Sequence, residues 1–251
     1  MKKGYKIKLV IILMLVITLN LSSNVVKALN LDNTKENFVI CIDPGHQEKG
    51  DPKGEPIAPG ASQKKPRVSS GTAGVATKKP EYVVNLEASQ KLKTLLENKG
   101  YKVVMTRETH DVNISNAERA QFANDKNANL VIRIHCDGIN DSGKTGASIL
   151  IPSKTGKHTT AIYEESNVYA SIMKKHLEEC GIKVNGVFER GDMTGFNWSK
   201  VPVVILEMGF MSNWNEDKML CDENYQQKLM ESVANSVDEY RVKCNADKNI
   251  E

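Results

Sequence analysis

Three apolar runs in this sequence are each followed by a side chain that can bind a metal or transfer a proton. The runs are residues 38–43, 130–134 and 203–206, and the side chains that follow them are His46, His135 and Glu207. Short continuous apolar runs are typical of strands that are buried on both faces of a sheet. Open α/β sheets bind their ligands at the carboxyl ends of such strands. We therefore expect these three side chains to share one site.

A helix predicted over residues 80–99 supplies a fourth candidate. At 100° per residue, Glu81 falls on the apolar stripe of this helix with Ala88 and Leu92, whereas Glu87 falls on the polar side. A carboxylate on the buried side needs a partner, because an unpaired buried charge is costly. Glu81 therefore joins the candidate site and Glu87 does not.

His46, Glu81 and His135 offer two imidazoles and a carboxylate, a set that matches catalytic zinc with its three protein ligands. Zinc lowers the pKa of a bound water to about 7, and Glu207 is then suited to take the proton of that water and pass it to a leaving group. The residues alone leave simpler interpretations open. The histidines could be hydrogen-bonded structural residues. Glu81 could interact favourably with the dipole at the start of its helix, and Glu207 could pair with a lysine.

The remaining elements indicate the fold class. Strands are predicted at 101–106, 147–151 and 184–188, and helices at 115–124, at 160–180 and near the end of the chain. Strands that alternate with helices indicate an α/β three-layer sandwich, in which a twisted, mostly parallel sheet is flanked by helices. Residues 47–80 hold five prolines and five glycines without periodicity. We interpret this segment as a loop that walls a substrate cleft.

The first 28 residues of the 251-residue chain have the pattern of a secretory signal. Four lysines precede an apolar run of 13 residues, too short to span a bilayer easily, and small residues end the segment at Ala28. We therefore expect a signal peptide over 1–28, a linker over 29–37, a catalytic domain over 38–243 and a polar tail over 244–251. An uncleaved membrane anchor is the alternative. With cleavage, we expect a secreted or wall-associated protein without stable membrane insertion.

Charge and cysteine usage limit the classes of partner. Without residues 1–28, which hold five lysines and no acid, the formal net charge is −2. No basic stripe remains, so the sequence argues against a nucleic-acid partner. Five cysteines at irregular spacing are not a disulfide framework. Cys41 is expected to be a small buried hydrophobe, and the pairing of the others is left open.

Five segments, in this order, resemble the zinc-dependent N-acetylmuramoyl-L-alanine amidases of the Amidase_3 type. They are VICIDPGH at 39–46, EYVVNL at 81–86, MTR at 105–107, IRIH at 132–135 and VILEMGFMSN at 204–213. The resemblance extends from about residue 38 to 241, nearly all of the expected mature chain. It implies hydrolysis of the amide bond between N-acetylmuramic acid and L-alanine in peptidoglycan.

The resemblance also implies a role for each candidate. His46, Glu81 and His135 match the residues that bind one zinc ion per chain in the family, and Glu207 matches its catalytic acid/base. A zinc peptidase that acts within the stem peptide, or a wall-binding module without activity, would be the alternatives. Because the sequence shows no repeats for wall binding, targeting is left to the domain itself or to a protein partner.

The sequence departs from the usual family pattern at three places. Gln47 begins an unusually long segment, Cys136 follows His135 where a small residue is more familiar, and residues 190–200 have an unusual form. We expect these departures to affect substrate preference more than chemistry.

Overall fold

The fold is built on one sheet of six strands, in a computed structural model that describes residues 35–248. The expected signal peptide lies outside the described residues. The strands of the chain are β1 (Val39–Pro44), β2 (Asp51–Pro56), β3 (Lys64–Val68), β4 (Lys102–Met105), β5 (Leu130–Asp137), β6 (Ala147–Pro152), β7 (Val184–Arg190) and β8 (Val203–Phe210). The helices are α1 (Glu81–Asn98), α2 (Asn116–Asp125), α3 (Thr160–Glu179), α4 (Thr194–Asn197), α5 (Trp214–Leu220) and α6 (Glu223–Lys248).

The sheet has the strand order β4-β1-β5-β8-β6-β7. Its first four strands are parallel to one another, and β6 is antiparallel to β8 but parallel to β7. The central strands β1, β5 and β8 are the three apolar runs of the sequence, and they lie side by side. The expected α/β sandwich with a mostly parallel sheet is therefore confirmed.

Alternate residues of the central strands contribute to two separate cores. Ile40, Ile132 and Val204 belong to the larger core, which also contains buried side chains of α1, α3 and α6. Cys41 and Val131 belong to a smaller core with residues of α2 and α4. His135 and Glu207, near the carboxyl ends of β5 and β8, project from this second face and line an open cavity.

Several helix predictions are confirmed in detail. Helix α1 begins at Glu81 directly after Pro80, and α2 begins with the expected capping box between Ser115 and Glu118. Cys41 is fully buried in β1, as expected. None of the five cysteines forms a disulfide bond, and all five lie within the described residues.

The segment 47–80 is not the unstructured loop that we expected. It contains an antiparallel hairpin of β2 and β3 that forms its own two-stranded sheet. The sequence DPKGEP of β2 has two prolines and no alternation, so no strand pattern was visible. Prolines are tolerated here because a strand at the edge of a sheet leaves N–H groups without a ladder partner. Bonds from Asn197 and Trp198 to Ile57 and Pro56 join the hairpin to α4.

Two strands and one helix are longer than we expected. Strands β5 and β8 continue through His135 and Glu207 to residues 137 and 210, so both side chains project from the surface of the sheet instead of following its end. Helix α6 continues to Lys248, past residue 243. Every helix among residues 35–248 is too short or too polar to cross a membrane.

Candidate active site

His46 lies on a tight turn that two buried arginines hold in place. The turn follows β1, and His46 has a left-handed backbone with φ of 60°. Arg107 donates to the carbonyl oxygens of Pro44 and Gly45, at 3.0 and 2.9 Å. Arg119 donates to the carbonyl oxygens of Pro44 and His46, at 2.9 and 3.0 Å. These bonds satisfy backbone groups that a buried turn would otherwise leave unpaired.

Gly45 is required by the close approach of β5. A Cβ atom at this position would lie 2.3–2.5 Å from three ring atoms of His135. The absence of a side chain therefore lets the two histidines come together, and their ring centroids are 4.8 Å apart. The Pro-Gly-His sequence thus brings His46 to His135 as well as ending β1.

Glu81 lies between the two histidines, as the helix argument predicted. Its Oε1 atom is 3.1 Å from Nε2 of His46 and 3.4 Å from Nδ1 of His135. The residue is 3% exposed. By contrast, the Glu87 side chain is 37% exposed and pairs with Lys79 at 2.6 Å. The structure therefore brings Glu81 to the site and leaves Glu87 on the surface.

The surroundings of Glu81 keep its carboxylate charged and fixed. Burial by itself raises the pKa of Glu81, but the neighbouring side chains of His135 and His46 outweigh it and hold that pKa well below the usual range. Backbone N–H groups of Thr72 and Cys136 donate to its two oxygens, at 3.0 and 3.2 Å. A charged, oriented carboxylate is what a metal site requires.

The surroundings of the two histidines also favour metal binding. Burial lowers the pKa of His135 to about 4, although the hydrogen bond with Glu81 opposes this, so the imidazole is neutral at physiological pH. The Nδ1 atom of His46 is 3.0 Å from the carbonyl oxygen of Ser69. A carbonyl only accepts, so Nδ1 donates and Nε2 is the nitrogen that faces Glu81. Histidine ligands of metals commonly donate their outer N–H in this way.

The donor set fits a zinc ion. One ligand atom from each of His46, Glu81 and His135 lies within 4.8 Å of the others. In the part of the chain that the structure describes, Nε2 of His135 is buried without a hydrogen-bond partner. Two imidazoles and one carboxylate match the ligand types of catalytic zinc, and a cation would compensate the buried negative charge of Glu81.

Glu207 lies opposite His135 on the neighbouring strand. The two residues are register partners across β5 and β8, so their side chains project to the same side of the sheet. Burial raises the pKa of Glu207 well above the usual range of a carboxyl, and the charges of Glu81 and Asp137 raise it further. Its Oε2 atom is buried and has no hydrogen-bond partner among the described residues. No lysine pairs with it there, contrary to the simpler interpretation.

All four candidates line one open cavity of about 440 Å³. Gly71 and Thr72, from the segment that we expected to wall the cleft, also line it. The arrangement combines a set of potential metal ligands with a carboxyl group that can accept and donate a proton. Metal-dependent hydrolases use these two kinds of group.

The sequence argument missed the residue that anchors this wall. The carboxylate of Asp217, in α5, accepts hydrogen bonds from the N–H groups of Ala76 and Thr77, each at 2.7 Å, and from the Thr77 hydroxyl at 2.8 Å. Thr72 in turn exchanges backbone and side-chain bonds with Glu81. Asp217 is fully buried. Its partners are about 140 positions away, so only the folded chain reveals them.

Three known proteins that are similar to this chain are all described as amidases. The chain is 27% identical over 209 residues to the N-acetylmuramoyl-L-alanine amidase Rv3717 of Mycobacterium tuberculosis, covering 80% of this chain and 85% of that one. The amidase Ami1 of Mycobacterium smegmatis has a similar fold, with a TM-score of 0.74, 23% identity and coverage of 82% and 97% of the two chains. The CwlD amidase of Clostridioides difficile, solved in complex with the GerS lipoprotein, has a TM-score of 0.62, 22% identity and coverage of 82% and 98%.

The family assignment rests on the match to a family model. The family model for N-acetylmuramoyl-L-alanine amidase, Amidase_3, matches residues 40–239. This span contains all four candidate residues and, except for Val39 at the start of β1, all six strands of the main sheet. Since the match covers most of the chain and agrees with the folds of solved relatives, the chain belongs to the Amidase_3 family of N-acetylmuramoyl-L-alanine amidases.

Proposed function

We propose that this peptidoglycan amidase binds one zinc ion through His46, Glu81 and His135 and uses Glu207 as its catalytic acid/base. The substrate bond is the amide between the lactyl group of N-acetylmuramic acid and L-alanine. The observation that carries the proposal is the convergence of these four side chains, from four separate segments, on one open cavity. When bound, zinc supplies a Lewis acid that activates water and polarises a carbonyl.

Glu207 is suited to move the proton in this reaction. Its carboxylate takes a proton from the attacking water, and the same carboxyl then donates that proton to the nitrogen of the departing L-alanine. A group that both accepts and donates works best when its pKa lies near the working pH, and the burial of Glu207 raises its pKa in that direction. The Oε2 atom of Glu207 has no hydrogen-bond partner among the described residues, so no other protein group competes for the proton that it would carry.

Product analysis tests the reaction. We expect digestion of purified peptidoglycan to release intact stem peptides with a free L-alanine amine, detected by mass spectrometry. A stem peptide cut between two of its own residues would instead indicate a peptidase.

Metal analysis tests the proposed cofactor. It should find one zinc per chain, and a strong chelator should abolish the activity until zinc is returned. Activity that survives chelation, in protein without stoichiometric zinc, would contradict the proposed cofactor.

The N-terminal sequence supports export of the enzyme to its substrate. We propose that residues 1–28 are removed and that the mature chain begins near Leu29, after which the linker 29–37 leads into the catalytic domain 38–243. N-terminal sequencing of protein recovered from the producing cells should therefore start near Leu29. A retained Met1 would favour a membrane anchor.

Targeting of the exported enzyme to the wall depends on the domain itself or on a protein partner. The similarity to CwlD, which was solved in complex with the GerS lipoprotein, supports a protein partner.

A further inference from the structure

A second cavity of about 260 Å³ adjoins the active-site cavity. The two cavities share Asn116, Arg133 and Met193 in their linings. The second cavity is otherwise walled by the end of the hairpin and by residues 192–195 before and within α4. Ser69 lies in this wall, and its hydroxyl is 2.9 Å from Nδ1 of His46. The second cavity therefore begins directly beside a proposed zinc ligand.

The position of the second cavity suits the residues next to the scissile bond. Because the two cavities share lining residues, a substrate whose scissile amide reaches Glu207 can extend from the first cavity into the second. The unusual stretch 190–200 forms part of the wall, where a change of sequence would alter what binds beside the bond.

The lining of the second cavity carries an excess of positive charge. Its charged residues are Lys65, Arg133 and Asp192. Arg190 adds a further cation, because its Nε and Nη2 atoms donate to Asp192 at 2.8 and 3.0 Å. Lys65 also contacts Asp192, at 3.1 Å. Exposed ion pairs of this kind contribute little free energy to stability. Lys65 can therefore leave Asp192 and pair with a carboxylate of the substrate at a small cost in free energy.

Arg133 is held rigidly in the floor between the two cavities. It donates from Nε to Asp43 at 2.7 Å and from Nη2 to Asn116 at 3.1 Å. A Cβ atom at Gly195 would lie 2.3 Å from its Nη1 atom, so the glycine makes room for the guanidinium group. The side chain is 6% exposed. A fixed, nearly buried cation loses little freedom when an anion binds to it.

We propose that the second cavity is a subsite for a carboxylate of the stem peptide, carried by the residue that follows L-alanine. Lys65 and Arg133 provide the charge that selects it. The sugars of the substrate are uncharged beside the lactyl amide, so the peptide side is the part that a cationic subsite recognises. This inference rests on the proposed amidase function.

The test compares two soluble muropeptides that differ in one group. Both carry N-acetylmuramic acid and L-alanine, and the next residue bears either a free carboxylate or a carboxamide. We expect the enzyme to cleave the carboxylate substrate with about tenfold higher kcat/KM, mainly through a lower KM. Lys65→Gln should reduce kcat/KM for this substrate severalfold and leave the carboxamide substrate unchanged, and Lys65→Glu should reverse the preference.

Lys64→Gln is the matched control. Lys64 precedes Lys65 on β3, is exposed and belongs to neither cavity lining. Equal cleavage of both substrates by the unmodified enzyme would overturn the subsite and leave the amidase function intact. An equal effect of Lys64→Gln and Lys65→Gln would overturn the role of Lys65. If zinc-loaded enzyme cleaves neither substrate, the proposed function fails and the subsite falls with it.

Discussion

Glu207→Gln should keep one zinc per chain and lose a factor of about 10²–10⁴ in kcat, the usual contribution of general acid/base catalysis. The amide has nearly the volume of the carboxyl, but it cannot take a proton from water or return one to the leaving amine. The metal should remain because His46, Glu81 and His135 form the donor group without Glu207. Zinc content, thermal unfolding and muropeptide cleavage should be measured on the same preparation.

Asp137→Asn is the informative comparison, because Asp137 lines the cavity with Glu207 and, unlike the carboxylate Glu81, is not one of the proposed ligands. One of its oxygens already accepts the N–H of Gly138 at 2.7 Å, whereas Oε2 of Glu207 is free among the described residues. We expect a much smaller loss for Asp137→Asn. If its loss is the larger of the two, the acid/base role belongs to Asp137. If Glu207→Gln releases the zinc, Glu207 is a ligand.

The parts of the fold that the sequence predicted are those set by local burial. Strands β1, β5 and β8 are apolar on both faces because helices cover both sides of the sheet, and such runs can be recognised without long-range information. Helix α2 was visible through the capping box of Ser115 and Glu118, which is a contact over three residues. The four candidate residues followed from their positions relative to these elements.

The parts that the sequence did not predict depend on distant contacts. Strands β5 and β8 were expected to end before His135 and Glu207, because polar residues usually mark a strand end. Both strands continue, and their polar side chains face the active-site cavity instead of the core. The hairpin itself has no period-2 pattern and is held by bonds to α4 from about 140 positions away. No local signal could have revealed these partners.

The supporting arginines illustrate the same limit. Arg119 follows Ser115 and Asn116 at the start of a helix, where an exposed charge is the ordinary expectation. In the fold it is 2% exposed and donates to Asp43 at 2.7 Å and to the turn that carries His46. The need for such a donor follows from the unpaired carbonyl oxygens of a buried turn. The identity of the donor becomes apparent only when β1 and α2 are packed together.

Glu81→Ala should raise the zinc dissociation constant by more than about 100-fold, because loss of an outer partner of a ligand already costs 10–100-fold. Activity should fall with the metal content. Glu87→Ala, six positions along the same helix, should change the free energy of unfolding by no more than about 0.5 kcal/mol and leave zinc and activity intact. The difference follows from the orientation of α1, which buries Glu81 beside the two histidines and leaves Glu87 with Lys79 on the surface.

Glu81→Gln separates loss of the ligand from damage to the fold. In Glu81→Ala, the N–H groups of Thr72 and Cys136 lose their carboxylate partner, and buried donors without partners destabilise a protein. The glutamine keeps the volume and one acceptor oxygen but removes the charge that attracts a cation. We therefore expect Glu81→Gln to remain folded in thermal unfolding and still to bind zinc weakly in a chelator competition. If both Glu81 variants retain tight zinc while Glu87→Ala loses it, the ligand assignment on α1 is wrong.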